Sequence, residues 1–474
     1  MTGTDFAKPL AAGALLAVLL TSVPMTALAA PAKVAATIKV DAKQSAAALE
    51  MYKTSIGYRT VQGQGQIPGY ATYLKKALVA GGFADADVTI EKIGETATLT
   101  ARYRGNGSKK PMLLSGHMDV VEADAKDWTR DPFVPVEENG YIFGRGSEDN
   151  KYDVAMMVAT LAQLKKEGWT PRRTVILLLS GDEETNMVTT KALAAKYKDA
   201  ELLLNGDGGG GLLDETGKPV LYQLQAGEKT YADFEIGFTD PGGHSSAPTP
   251  GNPIYRLAKA IDRIAAYQFP PMINELTKAS LSLSAQRIGG DVGEAMRLYA
   301  ATQDPASAEL LSSRPEFVGQ VRTTCVATML SGGHALNALP QSAKVSVNCR
   351  IFPGVKIDDV KAQLVKVVAD PSATFTTLND PTGSDASPLR DDVVKAVAAA
   401  IKARSPAITV MPGMSAGATD SLYFRALGVP SYGVSSLFMK AEDGFAHGLN
   451  ERVPVAGIAA SLAQWDSVVR ALAK

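Results

Sequence analysis

Between residues 112 and 207 the chain alternates unbroken apolar runs with amphipathic stretches. MLLSG (112–116), VILLLSG (175–181) and ELLLNGD (201–207) are apolar over most of their length, which predicts strands buried on both faces. VAMMVATLAQLKKEG, between the first two, has helical spacing. This alternation predicts a mainly parallel sheet covered by helices on both sides. Upstream, SAAALEMYKTSIGYRT and GYATYLKKALVAGGF predict two helices, and DVTIEKI and ATLTARYRG predict two strands.

The pattern changes near residue 228. TYADFEIGFTD alternates as a half-exposed strand, and NPIYRLAKAIDRIAAY follows as a helix. A helical insertion then leads to TTCVATML and KVSVNCRIF, a helix at KIDDVKAQLVKVVAD, and SATFTTLN. That order, β-α-β-β-α-β, is a ferredoxin-like α+β unit. LRDDVVKAVAAAIKAR and VAGIAASLAQWDSVVRALA return to the first pattern. The expectation is an α/β fold: a mainly parallel-sheet domain (31–228 and 383–474) interrupted by an inserted α+β domain at 229–382. The last segment has too few predicted strands to stand alone, which weighs against two domains joined by a linker.

The 48 basic and 49 acidic residues nearly cancel, and no basic tract is present, so a nucleic-acid partner is not expected. Lys8 precedes PLAAGALLAVLLTSVPMTALAA, which ends in a small-x-small pattern at Ala27-Leu28-Ala29. This reads as a secretory signal over residues 1–30, short of the ~20 apolar residues a membrane span needs. The expected location is secreted and periplasmic, with no stable membrane anchor after cleavage. The two cysteines, Cys325 and Cys349, fall on strands joined by a turn near NALPQS. A hairpin there sets them almost opposite, which favours a disulfide in an exported protein; two buried thiols are the alternative.

Ligands of open parallel sheets bind beyond the carboxyl ends of the strands. There the chain places His117 and Asp119 (SGHMD), Asp182, Glu183 and Glu184 (SGDEE) and Asp207 (LNGD). Asp149 precedes a helix in GRGSEDNK, and His447 lies in AHGLNE. Clustered carboxylates repel unless a cation neutralises them. Imidazole and carboxylate without thiolate suit Zn²⁺ or a similar divalent ion, and five ligands fit two ions sharing one carboxylate better than one ion. If the segment after VILLLSG is extended, Glu184 faces a metal while Glu183 faces the water between the ions. Each element has a plainer reading: a solvated acidic loop, an ordinary turn at GRGSEDN, a surface histidine at 447. Their joint arrival at strand ends favours the metal site.

In this order and spacing, SGHMDVV, GRGSEDNK, SGDEETN, LLNGDGGG, GGHSSAP and HGLNERV resemble the co-catalytic di-zinc peptidase family. That family includes carboxypeptidase S, carnosinase, aminoacylase, acetylornithine deacetylase and succinyl-diaminopimelate desuccinylase. VRTTCVATMLSGGHALNALP, VNCRIFPG and GATDS resemble its carboxypeptidase S and N-acyl-amino-acid hydrolase branch.

The resemblance implies that His117 and Asp207 hold one Zn²⁺, Glu184 and His447 the other, and that Asp149 bridges them; Co²⁺ or Mn²⁺ could take the same ligands. Asp119 would orient His117 by accepting its other N–H. Glu183 would be the general base for the bridging water and then protonate the leaving amine. His244 would donate to the oxyanion, often from a partner subunit's lid, so the inserted domain would serve as lid and homodimer contact. Asn337 and Arg350 would hold the substrate carboxylate, although a turn start and a structural ion pair are the plainer readings. His334 has no role to transfer. Tyr152 and Leu422 depart from the family pattern and are expected to reshape the pocket. The implied activity is cleavage of an amide beside a free α-carboxylate, as a carboxypeptidase or dipeptidase acting on small peptides. The alternative within the same chemistry is N-acyl-amino-acid deacylation. A zinc-dependent peptide binder without activity is the alternative of another class.

Overall fold

The computed structural model describes residues 38–474; the predicted signal at residues 1–30 lies outside them. The three apolar runs form adjacent parallel strands. Met112–His117 lies between Val175–Ser180 and Leu202–Asn205. Every residue of all three is buried; with both faces covered, apolar residues occupy successive positions instead of alternating with polar ones. Leu114, Leu177, Leu179, Leu202 and Leu204 face one core with the helices Ala42–Ile56, Ile67–Ala80, Lys151–Lys166 and Ile458–Leu472. Leu113, Ile176, Leu178 and Leu203 face the other side, against Leu193 of Val188–Tyr197 and Phe424 of Ser421–Ala426. Each such leucine contributes about 1.5–3 kcal/mol by leaving water.

Among the described residues the sheet has ten strands, more than the hydrophobic pattern predicts. Gly210–Leu213 and Pro219–Glu228 form an antiparallel hairpin. The C-terminal segment adds Thr409–Ser415, Ser431–Gly433 and Phe438–Lys440, each pairing in parallel with an earlier strand. These strands are short or carry Gly and Pro, so their hydrophobic periodicity is weak. They also explain why the segment cannot stand alone: its strands are threaded into a sheet whose first strand, Val88–Ile93, lies more than three hundred residues earlier.

A second, four-stranded antiparallel sheet has the order Thr324–Gly332, Ser342–Ile351, Thr230–Thr239, Thr374–Leu378. Its buried face, with Phe234, Ile236, Val345 and Val347, packs under Leu257 of Pro253–Ala266 and Leu364 of Ile357–Val368. Four short helices between Glu275 and Val321 have a small core of their own around Met296 and Tyr299. Cys325 lies opposite Cys349 in the register of the strand pair. Their Cα atoms are 4.1 Å apart and a disulfide joins them. Replacing both by serine is expected to destabilise the fold by about 2–4 kcal/mol, measured as a lower urea midpoint; an unchanged midpoint would show that the bridge holds nothing the strand pairing does not.

Candidate active site

The chain leaves the strand Val175–Ser180 at Gly181, where a Cβ would lie 2.4 Å from the carbonyl oxygen of Ala97; only glycine allows that exit. Residues 183–186 then form a turn rather than the extended segment expected, because one carboxylate captures its first amides and another fixes the start of the helix that follows. Asp119 accepts from the N–H groups of Glu183 (3.1 Å) and Glu184 (2.9 Å). Asp182 accepts from those of Val188 (2.7 Å) and Thr189 (2.9 Å), capping the helix Val188–Tyr197. Of the three consecutive acids, Asp182 is therefore a helix cap, and Glu183 and Glu184 reach the crevice.

Asp149 stands between the two histidines. Its Oδ1 is 2.7 Å from His117 Nε2, and its Oδ2 is 3.2 Å from His447 Nε2. Glu184 Oε1 is 2.9 Å from the same His447 nitrogen, and Asp207 Oδ2 is 4.0 Å from His117 Nε2. His117, Asp149 and Glu184 bring one donor atom each within 4.8 Å of one another, as do His117, Glu183 and Asp207. The Asp149–Asn150 peptide is cis. His117 Nδ1 faces the main-chain oxygen of Asp119 at 3.1 Å, while the Asp119 carboxylate is 3.6 Å away and holds the turn amides instead. The expected orienting contact is thus made by the backbone of Asp119.

The electrostatics follow from four carboxylates in one buried crevice. Burial pushes Glu183 and Asp207 well above the usual carboxylate range; Asp207 adds to the effect on Glu183, and Asp149 to that on Asp207. Burial also acts on Asp149, but the hydrogen bonds and charges of His117 and His447 outweigh it and hold that carboxyl low. His447 is raised to about 10 by its hydrogen bonds to Asp149 and Glu184. Burial opposes the charge on His117, yet Asp119 and Asp149 raise it well above its ordinary value. Excess negative charge around two imidazoles is the donor chemistry that divalent cations neutralise, and the residues fit such ions.

One pair of residues joins the two loops that carry Asp149 and His447. Glu451 is fully buried; its carboxylate accepts from the N–H groups of Gly146 (3.0 Å), Glu148 (2.6 Å) and Asp149 (3.2 Å) and from Arg145 Nη1 (2.7 Å). Arg145 in turn donates to the carbonyl oxygens of His447 (3.2 Å) and Gly448 (3.1 Å). Below the site, buried Asp153 accepts from Ser435 Oγ, Ser436 Oγ and Trp465 Nε1. Asp420 accepts from the hydroxyls of Ser180 and Thr190, tying the end of the strand Val175–Ser180 to the helix Val188–Tyr197.

The remaining candidates lie on the second sheet and its loops. His244 and Ala338 pair in a two-stranded bridge, and Asn337 accepts from the Ser245 N–H at 3.0 Å. His244 is exposed, with Nδ1 2.8 Å from Ser246 Oγ, and among the described residues it makes no hydrogen bond to the metal-ligand candidates. Arg350 donates to the Ala416 carbonyl (2.8 Å) and lies over the Tyr231 ring, so it makes no ion pair among the described residues. His334 is exposed.

The model of peptidase family M20/M25/M40 matches residues 113–471, most of the chain. The chain belongs to this family. Among curated M20 relatives, the N-fatty-acyl-amino acid synthase/hydrolase PM20D1.1 of Danio rerio is 28% identical over 79% of this chain and 74% of its own length. The probable carboxypeptidase S-like 2 of Dictyostelium discoideum is 24% identical over 77% and 72%. The M20 metallo-carboxypeptidase Sso-CP2 of Sulfolobus solfataricus shares the fold, with a TM-score of 0.66 at 21% identity over 89% of this chain and 98% of that one.

Both departures from the M20 pattern are packing positions. Tyr152 is buried against Tyr52 and bonds Ser461 Oγ at 2.9 Å, and Leu422 is buried. Neither is among the residues lining the two cavities bordered by Asp119 or by Asp149 and Asp207, so their influence on the pocket runs through the packing behind its wall. Arg145, Glu451, Asp153 and Asp420 were not predicted, although the first two sit inside the GRGS and HGLNE motifs. Opposite charges on segments three hundred residues apart reveal nothing until the fold pairs them. Glu451→Gln is expected to retain the fold by circular dichroism and to weaken divalent-metal binding by roughly 10–100-fold, measured by competition with a chelating dye. Unchanged metal affinity would show that the two loops hold their ligands without the clamp.

Proposed function

We propose that the protein cleaves an amide beside a free α-carboxylate, acting as a carboxypeptidase or dipeptidase. The observation that supports this most directly is the Asp149 carboxylate, with one oxygen toward each imidazole, together with Glu183 within 4.8 Å of His117 and Asp207. His117 and Asp207 are assigned to one ion, Glu184 and His447 to the other, and Asp149 to both. Nitrogen and oxygen donors without thiolate fit zinc, and cobalt or manganese fits the same set. When bound, such ions lower the pKa of water and polarise a carbonyl. Glu183 takes the proton of the attacking water and returns it to the leaving nitrogen. Asp119 acts from behind, fixing the turn that aims Glu183 and Glu184. Arg350 and Asn337 receive the α-carboxylate. Deacylation of N-acyl amino acids is the second reading, favoured by likeness to the Danio rerio relative.

The segment 229–382 serves in this reading as lid and dimer contact, with His244 donating to the oxyanion of the partner subunit's site. Among the described residues its edge strand Thr324–Gly332 pairs on one side alone and exposes Val326, Met329 and Leu330 around a register shift at Ala327/Met329, which offers an edge for a second copy to pair with. Residues 1–30 would direct export to the periplasm, and the disulfide suits an oxidising compartment.

Glu183→Gln is expected to keep its metal content by elemental analysis and to lose about 10²–10⁴ in kcat on a dipeptide and N-acyl-amino-acid panel. Full activity in that variant would remove Glu183 from the chemistry, and a metal-loaded wild type that cleaves neither class would leave the inactive peptide binder. The double substitution Met329→Lys and Leu330→Lys is expected to give monomers in sedimentation and to lower kcat with the zinc retained. A variant that stays dimeric would place the interface elsewhere.

A further inference from the structure

A cavity of about 450 Å³ opens beside the ligand cluster, and its wall includes both Asp149 and Asp207. This falls in the range of roughly 300–1,000 Å³ usual for small-molecule sites. Its floor follows from strand register. Leu212 pairs with Leu221 on one side and with Met439 on the other. Their neighbours Gly211, Tyr222 and Phe438 pair on the opposite face, where both aromatic rings are buried in the main core. Side chains alternate along a strand, so Leu221, Leu212 and Met439 form a continuous apolar row, half-buried, facing the cavity. From Asp207 to Leu212 the chain is all glycine (208–211). That segment therefore puts no side chain of its own between the metal-ligand candidate and the apolar row; Gln223, on the neighbouring strand, is the polar side chain that shares this wall.

The strand Pro219–Glu228 gives the row a direction. Leu221 is near its start. At its far end Glu228 pairs with Ser415, next to the Ala416 carbonyl that Arg350 contacts. Between the two, Gln225 accepts from the Gly209 N–H beside Asp207. A substrate with its carboxylate at the Arg350 end and its amide at the cluster extends its carbonyl side toward Leu212.

We propose that this cavity binds an aliphatic group on the carbonyl side of the scissile amide, with Leu212, Leu221 and Met439 setting the preference. The inference rests on the hydrolase reading above. The aliphatic group comes either from the alkyl chain of an N-acyl amino acid or from the side chain of a peptide residue.

The test compares the zinc-supplemented wild type with Leu212→Gln and Met439→Gln. One substrate arm is N-acetyl-, N-butanoyl-, N-hexanoyl- and N-octanoyl-leucine; the other is Gly-Leu, Ala-Leu and Leu-Leu. The wild type is expected to gain up to about fourfold in kcat/KM per buried methylene in one arm, and both substitutions to flatten that rise. The arm that rises names the source of the group. A flat wild-type profile in both arms, or a slope that both variants keep, overturns the proposal. Calorimetric titration of the same compounds into Glu183→Gln protein separates the two levels of inference. Affinity that climbs with chain length and flattens in the Leu212→Gln and Met439→Gln backgrounds, with no wild-type cleavage, keeps the cavity and sinks the hydrolase reading. Affinity independent of chain length overturns the cavity assignment itself.

Discussion

Four carboxylates and two imidazoles converge beyond the carboxyl ends of three fully buried central strands, and holding them there constrains much of the surrounding structure. Uncompensated, such a cluster repels itself and resists burial. The fold meets this locally by giving each oxygen of Asp149 its own histidine. It meets it at longer range with carboxylates that do not point into the crevice. Asp119 and Glu451 accept backbone amides of the loops that carry the inward-facing acids, and Asp182 caps the helix that follows. The acidic excess in these motifs is therefore divided between groups that face the crevice and groups that hold the first set in position.

Much of this was legible along the chain because the signals are local. Met112–His117, Val175–Ser180 and Leu202–Asn205 announce themselves as apolar runs ending in polar residues. The β-α-β-β-α-β order of the second sheet also follows from periodicity, and hairpin register brought Cys325 opposite Cys349. What stayed hidden depends on tertiary pairing. Phe438–Lys440 and Ser431–Gly433 are too short to show a period and exist as strands because earlier strands offer them free edges. The turn at Glu183 defeated an argument from alternation, since its shape is imposed by Asp119, sixty-four residues away.

The second sheet illustrates how one chain serves two structural demands. Its inner face has a conventional core under two helices. Its outer strand carries the disulfide and then runs out as an exposed edge. A covalent tie at one end of an edge strand limits fraying of a surface that a partner would have to recognise. His244 and Asn337 are held on the loops at the other end of this sheet, by their own short bridge.

The Arg145–Glu451 clamp also bears on timing. It closes a separation of 306 residues and fixes Asp149 and His447 in one operation. A chain still emerging during synthesis has His117, Asp149, Glu183, Glu184 and Asp207 long before it has His447 or Glu451. Until the carboxyl-terminal segment is in place the crevice lacks His447 and the clamp that joins its two loops. For a hydrolase able to attack peptides, completing the site last keeps partly made chains from acting on their surroundings.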